Sequence, residues 1–208
     1  MTKNEVRPVR NVVFDLGGVL VDWNPRYALR ALFGSDDVAM EDFLRDVCNH
    51  AWNERQDAGR PWADGEAELV RSHPAQADFI RAYRERWPEM LKGPIDGTVA
   101  LLARLRGKGV PLYSITNWSA ETFPVALARF EFLSWFKDIV VSGREKLLKP
   151  DPRIFELLLS RNGLRAEDGL FVDDVPANVE GARRVGFSAV LFVSPQQLEA
   201  DLLERGLL

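Results

Sequence analysis

The sequence holds one cysteine, Cys48, so no intramolecular disulfide can staple the fold, and a solitary thiol fits a reducing, cytoplasmic setting. No apolar run approaches the length of a bilayer span, and the first ten residues are polar, without the apolar core of a secretory signal. Neither sign of charge dominates: 27 basic against 31 acidic side chains leave a net charge of −4, spread along the chain. Nothing in that balance suggests a nucleic-acid surface, and no segment suggests a membrane partner. Repeats and low-complexity tracts are missing too. What is left is an ordinary globular composition, 46% hydrophobic over 208 residues, enough for one full α/β domain or for a core with a small insertion.

The most informative stretch is Val12-Val13-Phe14-Asp15-Leu16-Gly17-Gly18-Val19-Leu20. Its β-branched start reads as a buried strand, Val9–Asp15, that delivers one carboxylate at its C-terminal end. Two glycines follow, where backbone approaches a ligand closely or takes positive φ. Further strands are expected at Val110–Ile115, Asp138–Val141, Gly169–Asp173 and Ala189–Val193. Between them lie helical stripes: Val99, Leu102 and Leu105 up to Gly107; Phe123, Leu127 and Phe130; and Ile154, Phe155, Leu158 and Leu159. Ser194-Pro195-Gln196-Gln197 resembles a capping box opening a C-terminal helix. Strand–helix alternation with right-handed crossovers implies an α/β fold with a doubly wound parallel sheet.

One stretch breaks the alternation. From roughly Pro25 to Lys92 there is no convincing strand, only helical patterns such as Met40, Phe43, Leu44, Val47 and Phe79, Ile80, Tyr83, Trp87. Pro88, Gly93, Pro94 and Gly97 punctuate its far end as a linker would. The expected organisation is a core of residues 1–22 and 93–208 with a helical cap at 23–92, lying over the carboxyl edge of the sheet as a lid.

Three more polar clusters fall at strand ends or helix starts: Ser114-Ile115-Thr116-Asn117, Lys149-Pro150 and Phe171-Val172-Asp173-Asp174. Parallel strands place their carboxyl ends along one edge, so Asp15, Thr116, Asp173 and Asp174 converge there despite their separation in sequence. Carboxylates gathered in this way repel unless a hard cation neutralises them. Mg²⁺ suits the role, because it takes oxygen ligands and bridges to substrate phosphates. A lysine and a hydroxyl opposite it would hold the remaining phosphate oxygens, and a central carboxylate could attack phosphorus to form an aspartyl-phosphate. Singly, each element has a blander reading: a strand-end Asp caps a helix, Thr-Asn makes a turn, Lys-Pro is a solvated loop. Four in this order argue for a site.

With these residues in hand, the chain resembles the haloacid dehalogenase (HAD) superfamily of hydrolases over nearly its whole length. The resemblance is carried by Phe14-Asp15-Leu16-Gly17-Gly18-Val19-Leu20, Ser114-Ile115-Thr116-Asn117, Lys149-Pro150-Asp151 and Phe171-Val172-Asp173-Asp174 with Asn178. The helical insertion resembles the cap domain of small phosphatases and dehalogenases of that family. The resemblance implies Asp15 as nucleophile, Thr116 as phosphate ligand and Lys149 as the cation steadying both. It implies Mg²⁺ held by Asp15, the backbone carbonyl of Gly17 and Asp174, with Asp173 behind them or exchanging roles with Asp174. Asn117 and Gly18 would shape the phosphate pocket, and Asn178 would support the acidic loop. A small phosphorylated metabolite, a sugar phosphate first, is the substrate class it suggests.

The sequence departs from that family at one position. Most of its phosphatases carry a second Asp two residues after the nucleophile as general acid and base, and here that residue is Gly17. The metal ligand there is backbone and survives; the proton donor is lost, and such catalysis is typically worth about 10²–10⁴-fold. Three readings follow: a phosphatase with a replacement donor, a metal-independent 2-haloacid dehalogenase, or a weakly active regulatory binding protein. The Asp173-Asp174 pair favours the first, since uncompensated carboxylates would oppose an anionic haloacid. His50 in the insertion is the candidate replacement donor, with Asn53 and Arg55 nearby, although a lone His is more often structural. Trp23 and Trp118 follow strand ends and are candidates for lining the pocket, with packing an equal alternative. Trp52, Trp62, Trp87 and Trp135 read as core or interface, and Cys48 as a small buried hydrophobe.

Overall fold

The computed structural model describes residues 9–208; the opening residues 1–8, which include most of the segment read as free of a signal, lie outside the described residues. β1 (Asn11–Phe14) is followed by a tight turn and a short strand, β2 (Val21–Trp23). Five helices come next: α1 (Arg26–Phe33), α2 (Asp37–Asp46), α3 (His50–Asp57), α4 (Trp62–Ser72) and α5 (Ala77–Glu85). The chain returns through β3 (Leu91–Pro94), which pairs antiparallel with β2, Asp22 opposite Gly93. Alternation then resumes with α6 (Asp96–Gly107), β4 (Leu112–Thr116), α7 (Phe123–Arg129), β5 (Asp138–Val141) and the single turn α8 (Ser142–Glu145). It closes with α9 (Pro152–Asn162), β6 (Gly169–Asp173), α10 (Pro176–Val185), β7 (Ser188–Leu191) and α11 (Pro195–Glu204).

The main sheet is parallel throughout, in the order β5-β4-β1-β6-β7. Alternation along each strand sorts side chains to two faces. Val12, Phe14, Leu170 and Val172 pack with α6 and α11 through Leu102, Leu105, Leu198 and Leu202. Val13, Ile115 and Phe171 pack on the other face with Ile154, Phe155 and Leu158 of α9 and Ala182 of α10. From β1 the chain reaches β4 on one side and later returns to β6 on the other. A crevice therefore opens at the carboxyl end of β1, where ligands bind in such sheets.

The five sheet strands fall where the sequence places them, within two residues at each end. The expected strandless stretch is not wholly strandless: β3 begins at Leu91, and β2 lies just before it. Together they form a ribbon of three and four residues whose sequences, Val-Asp-Trp and Leu-Lys-Gly-Pro, offer too little alternation to read as strands. The capping box is modified. Ser194 accepts from the Gln197 N–H at 3.2 Å, but the Gln197 side chain reaches back to the N–H of Val193, not to that of Ser194. Among the described residues no helix is long and apolar enough to cross a membrane.

Candidate active site

Asp15 is the first residue beyond β1, one step past the rung that aligns Phe14 with Val172 and with Ser114. Its N–H still bonds the Val172 carbonyl at 2.8 Å, so the sheet itself fixes its position. The chain then folds back sharply: Leu16 O accepts from both Leu20 N and Val21 N at 2.8 Å, and Gly18 N donates to Val21 O. Gly18 makes that turn possible with φ +74°, a conformation L side chains avoid. It also makes room, since a Cβ on Gly18 would lie 2.3 Å from Asp174 Oδ2.

Lys149 reaches the centre of the site from the loop before α9. Its Nζ lies 2.7 Å from Asp15 Oδ1 and 2.7 Å from Asp173 Oδ2, and all three side chains are buried. Reciprocal hydrogen bonds clamp its backbone to Asn117: Asn117 Nδ2 donates to Lys149 O at 3.0 Å, and Lys149 N donates to Asn117 Oδ1 at 2.8 Å. Burial alone would push the ammonium down, but the Asp15 and Asp173 charges outweigh it and hold its pKa above the ordinary value. Lys149 is therefore a fixed cation.

The two consecutive acids play different parts. Asp173 is fully buried, with Oδ1 accepting from Val175 N and Asn178 Nδ2 and Oδ2 from Lys149 and Asn178. Those bonds use both its oxygens, so its evident work is to hold Lys149. Asp174 is exposed and pairs with no basic side chain among the described residues. One oxygen from each of Asp15, Asp173 and Asp174 lies within 4.8 Å of the others, and the one ammonium among them pairs with Asp15 and Asp173 alone. The Asp15 carboxyl is held above the ordinary range: burial raises it most, Lys149 opposes, and Asp173 and Asp174 raise it further. Asp174 is raised too, by the partial desolvation of its carboxylate among these groups and then by Asp173. Such a set, all hard oxygen donors with an excess of negative charge, fits a divalent cation. Thr116, buried at the end of β4, stands two residues past the Ser114–Phe14 rung, at the same edge.

Beside this cluster a small cleft of about 80 Å³ is lined by Gly17, Trp23, Asn53, Asp57, Trp87, Asn117 and Trp118. Trp118 and Trp23 thus stand where the sequence suggests. Trp87, read as core, joins them, its ring 5.7 Å from that of Trp118. His50 is not in the cleft. It opens α3 with its side chain 89% exposed, 3.8 Å from Glu54. The other end of the same helix carries Asp57 into the cleft, a residue the sequence reading passed over. Its trace in the sequence is the spacing of Asn53 and Asp57, one helical turn apart, with Gly59 just after. Cys48 is buried, and burial pushes its thiol up, as expected of an inert hydrophobe.

Residues 9–186 match the profile of the haloacid dehalogenase-like hydrolases. The sesquiterpene phosphatase astK of Aspergillus oryzae is 28% identical over 174 residues, covering 84% of this chain and 85% of that protein. The chain spans only 38% of a longer relative, the drimenol cyclase drtB of Aspergillus calidoustus, at 25% identity over 211 residues. A HAD family enzyme of Bacteroides thetaiotaomicron, solved with magnesium and inorganic phosphate, superposes with a TM-score of 0.68 at 20% identity, covering 89% of this chain and 95% of that one. The L-2-haloacid dehalogenase of Xanthobacter autotrophicus superposes with a TM-score of 0.65 at 20% identity, covering 94% and 82%. At such identities the two structures attest the fold.

Proposed function

Because the chain belongs to the haloacid dehalogenase-like hydrolases, we propose that it is a Mg²⁺-dependent phosphatase of small phosphomonoesters, working through an aspartyl-phosphate on Asp15. The observation that carries this reading is the cluster of three carboxylates with a single ammonium that pairs with two of them, which calls for a second cation. A phosphatase among its relatives, matched along most of both chains, supports it. Sugar phosphates are the first substrates to screen, and residues 23–92 would be the cap that selects among them.

Asp15, Asp174 and the Gly17 carbonyl would hold the ion, and the side-chain-free Gly18 leaves room for the Asp174 carboxylate beside them. Mg²⁺, when bound, would supply the positive charge that keeps Asp15 ionised and draws in a phosphate dianion. Lys149 bonds Asp15 Oδ1, as does the Leu16 N–H at 2.7 Å, so Oδ2 is the oxygen without a protein partner among the described residues. These two contacts orient the nucleophile and prevent it from rotating away. Asp173 and Asn178 keep the lysine in place, and Thr116 would receive a phosphoryl oxygen.

The test is phosphate release from a panel of phosphomonoesters with Mg²⁺ and with chelator, alongside halide release from 2-haloacids. Metal-dependent phosphate release, abolished in Asp15→Asn, is the expected result. Halide release that persists in chelator would overturn the proposal in favour of a dehalogenase.

A further inference from the structure

The turn after β1 offers no proton donor at position 17, yet an alkoxide leaving group requires one. The cleft supplies another carboxyl. We propose that Asp57 is the general acid and base of this site, protonating the departing alcohol oxygen and then deprotonating the attacking water. The inference rests on the phosphatase reading above.

Asp57 belongs to the helical insert but is fastened to the core. Its carbonyl accepts from Ser142 Oγ at 2.6 Å, and the same Oγ accepts from Trp118 N at 2.9 Å. Asn53 Nδ2 donates to Asp57 Oδ2 at 2.9 Å, and the Ser119 N–H also bonds the carboxyl. Just beyond, Gly59 sits so close to α8 that a Cβ would lie 2.9 Å from Gly143 O. The last turn of α3 is thus locked to the loop that follows Thr116 and Asn117. Beside that loop, Asp57 lines the same cleft as Gly17, the position it would replace.

The carboxyl also has the protonation state the role needs. Burial pushes it up to about 8; the Ser119 N–H opposes, Glu54 on its own helix adds, and Asn53 opposes. The loop after β4 and α8, packed against it, present that N–H and the Ser142 hydroxyl. Near neutral pH Asp57 is a carboxylic acid in an organised cleft. In the first step Asp15 attacks phosphorus, the bond to the ester oxygen breaks, and the Asp57 proton passes to that oxygen. In the second, the Asp57 carboxylate takes a proton from water as its oxygen attacks the aspartyl-phosphate. Asp15 leaves as a carboxylate, inorganic phosphate is released, and Asp57 is an acid again.

The experiment compares an alkyl ester, glycerol phosphate, with p-nitrophenyl phosphate, whose leaving group needs no proton, using full-length protein in saturating Mg²⁺. For Asp57→Asn, kcat/KM on glycerol phosphate should fall by about 10²–10⁴-fold. Its first turnover of p-nitrophenyl phosphate should be nearly unchanged, giving a burst equal to the enzyme present and then slow turnover, since the second step lacks its base. Adding Gly17→Asp, whose Cβ would meet nothing within 4 Å, should restore part of the alkyl activity. An unaltered alkyl rate in Asp57→Asn overturns the inference, and so does equal loss of both first turnovers, the mark of a merely structural residue. Should that variant not fold, the wild-type profile decides: kcat/KM for the alkyl ester should fall as pH rises through about 8 while that for the aryl ester does not. Parallel profiles would overturn it. Wild-type protein that releases no phosphate from any ester sinks the phosphatase reading itself; active wild type matched by Asp57→Asn sinks only this one.

Discussion

Replacing Asp57 by asparagine should stabilise the protein, and by more as the pH rises. In the folded chain this carboxyl titrates near 8, against an ordinary 3.8. Between those values the unfolded chain has released the proton and the native chain still holds it. The unfolded state then binds fewer protons, so stability falls as pH rises through this window and levels off above 8. At about 1.4 kcal/mol per unit, the penalty is about 4 kcal/mol by pH 7, and residual solvent access at a half-buried group reduces it to about 2–4 kcal/mol. Asparagine has the same shape, retains an acceptor oxygen and does not titrate. At roughly 2–4 °C per kcal/mol for a chain of this size, Asp57→Asn should melt on the order of 5–15 °C above wild type at pH 7. The gap should close towards pH 4. Thermal unfolding followed by circular dichroism in chelator, from pH 4.5 to 8.5, measures it. A gap that does not vary with pH, or a variant less stable than wild type at pH 8, would refute the reasoning. The outcome has a functional meaning too, because a group that destabilises the fold in this way is of the kind retained for activity.

Other substitutions test the rest of the site. Lys149→Met leaves Asp15 and Asp173 buried without their cation, which should cost about 3–5 kcal/mol and abolish turnover; a melting temperature equal to wild type in chelator would contradict the paired burial of these groups. Gly18→Ala forces a side chain into left-handed backbone and against Asp174, so calorimetric Mg²⁺ titration should show affinity weakened by about 10-fold or more; unchanged affinity would remove Asp174 from the ligand set. Ser142→Ala leaves the Asp57 carbonyl and the Trp118 N–H without their shared partner, at about 1–3 kcal/mol in denaturant unfolding. It should also slow alkyl esters more than aryl ones.

How much of this was legible in the sequence depends on where each residue sits. Asp15, Thr116, Asp173 and Asp174 lie at or just beyond the ends of strands whose apolar runs are unmistakable, and the parallel sheet then brings them together. Lys149 is in a loop, and only its Lys-Pro setting before α9 marked it. For the two acids, the resemblance put Asp173 behind Asp174 but left them free to exchange roles. Asp173 and Asp174 are neighbours in sequence, yet one is the last residue of β6 and points into the core while the other stands at the rim. Asp57 escaped for a different reason. It belongs to α3, a short helix with only two buried residues, Trp52 and Gln56, and no apolar stripe to show which of its ends faces the sheet. Residue type favoured His50 at one end; packing against α8 selects Asp57 at the other.

Moving the proton donor from the turn after β1 to α3 changes what controls it. At position 17 a side chain would ride on the same rigid turn as the nucleophile and be present whatever the insert does. Asp57 stands in the cleft only while the last turn of α3 is seated on Ser119, Ser142 and Gly143. The loop it rests on is the one that carries Asn117, whose two bonds to the Lys149 backbone lead to Asp15. Nucleophile and cation are thus tied to this loop from the core, whereas the acid alone of the three crosses to it from the insert. Loosening that crossing should separate the two half-functions: Asp15 would still accept a phosphoryl group from an ester that leaves unaided, and turnover of alkyl esters would fail. For this chain, docking of the insert would then decide which leaving groups can be released as well as which substrates are admitted.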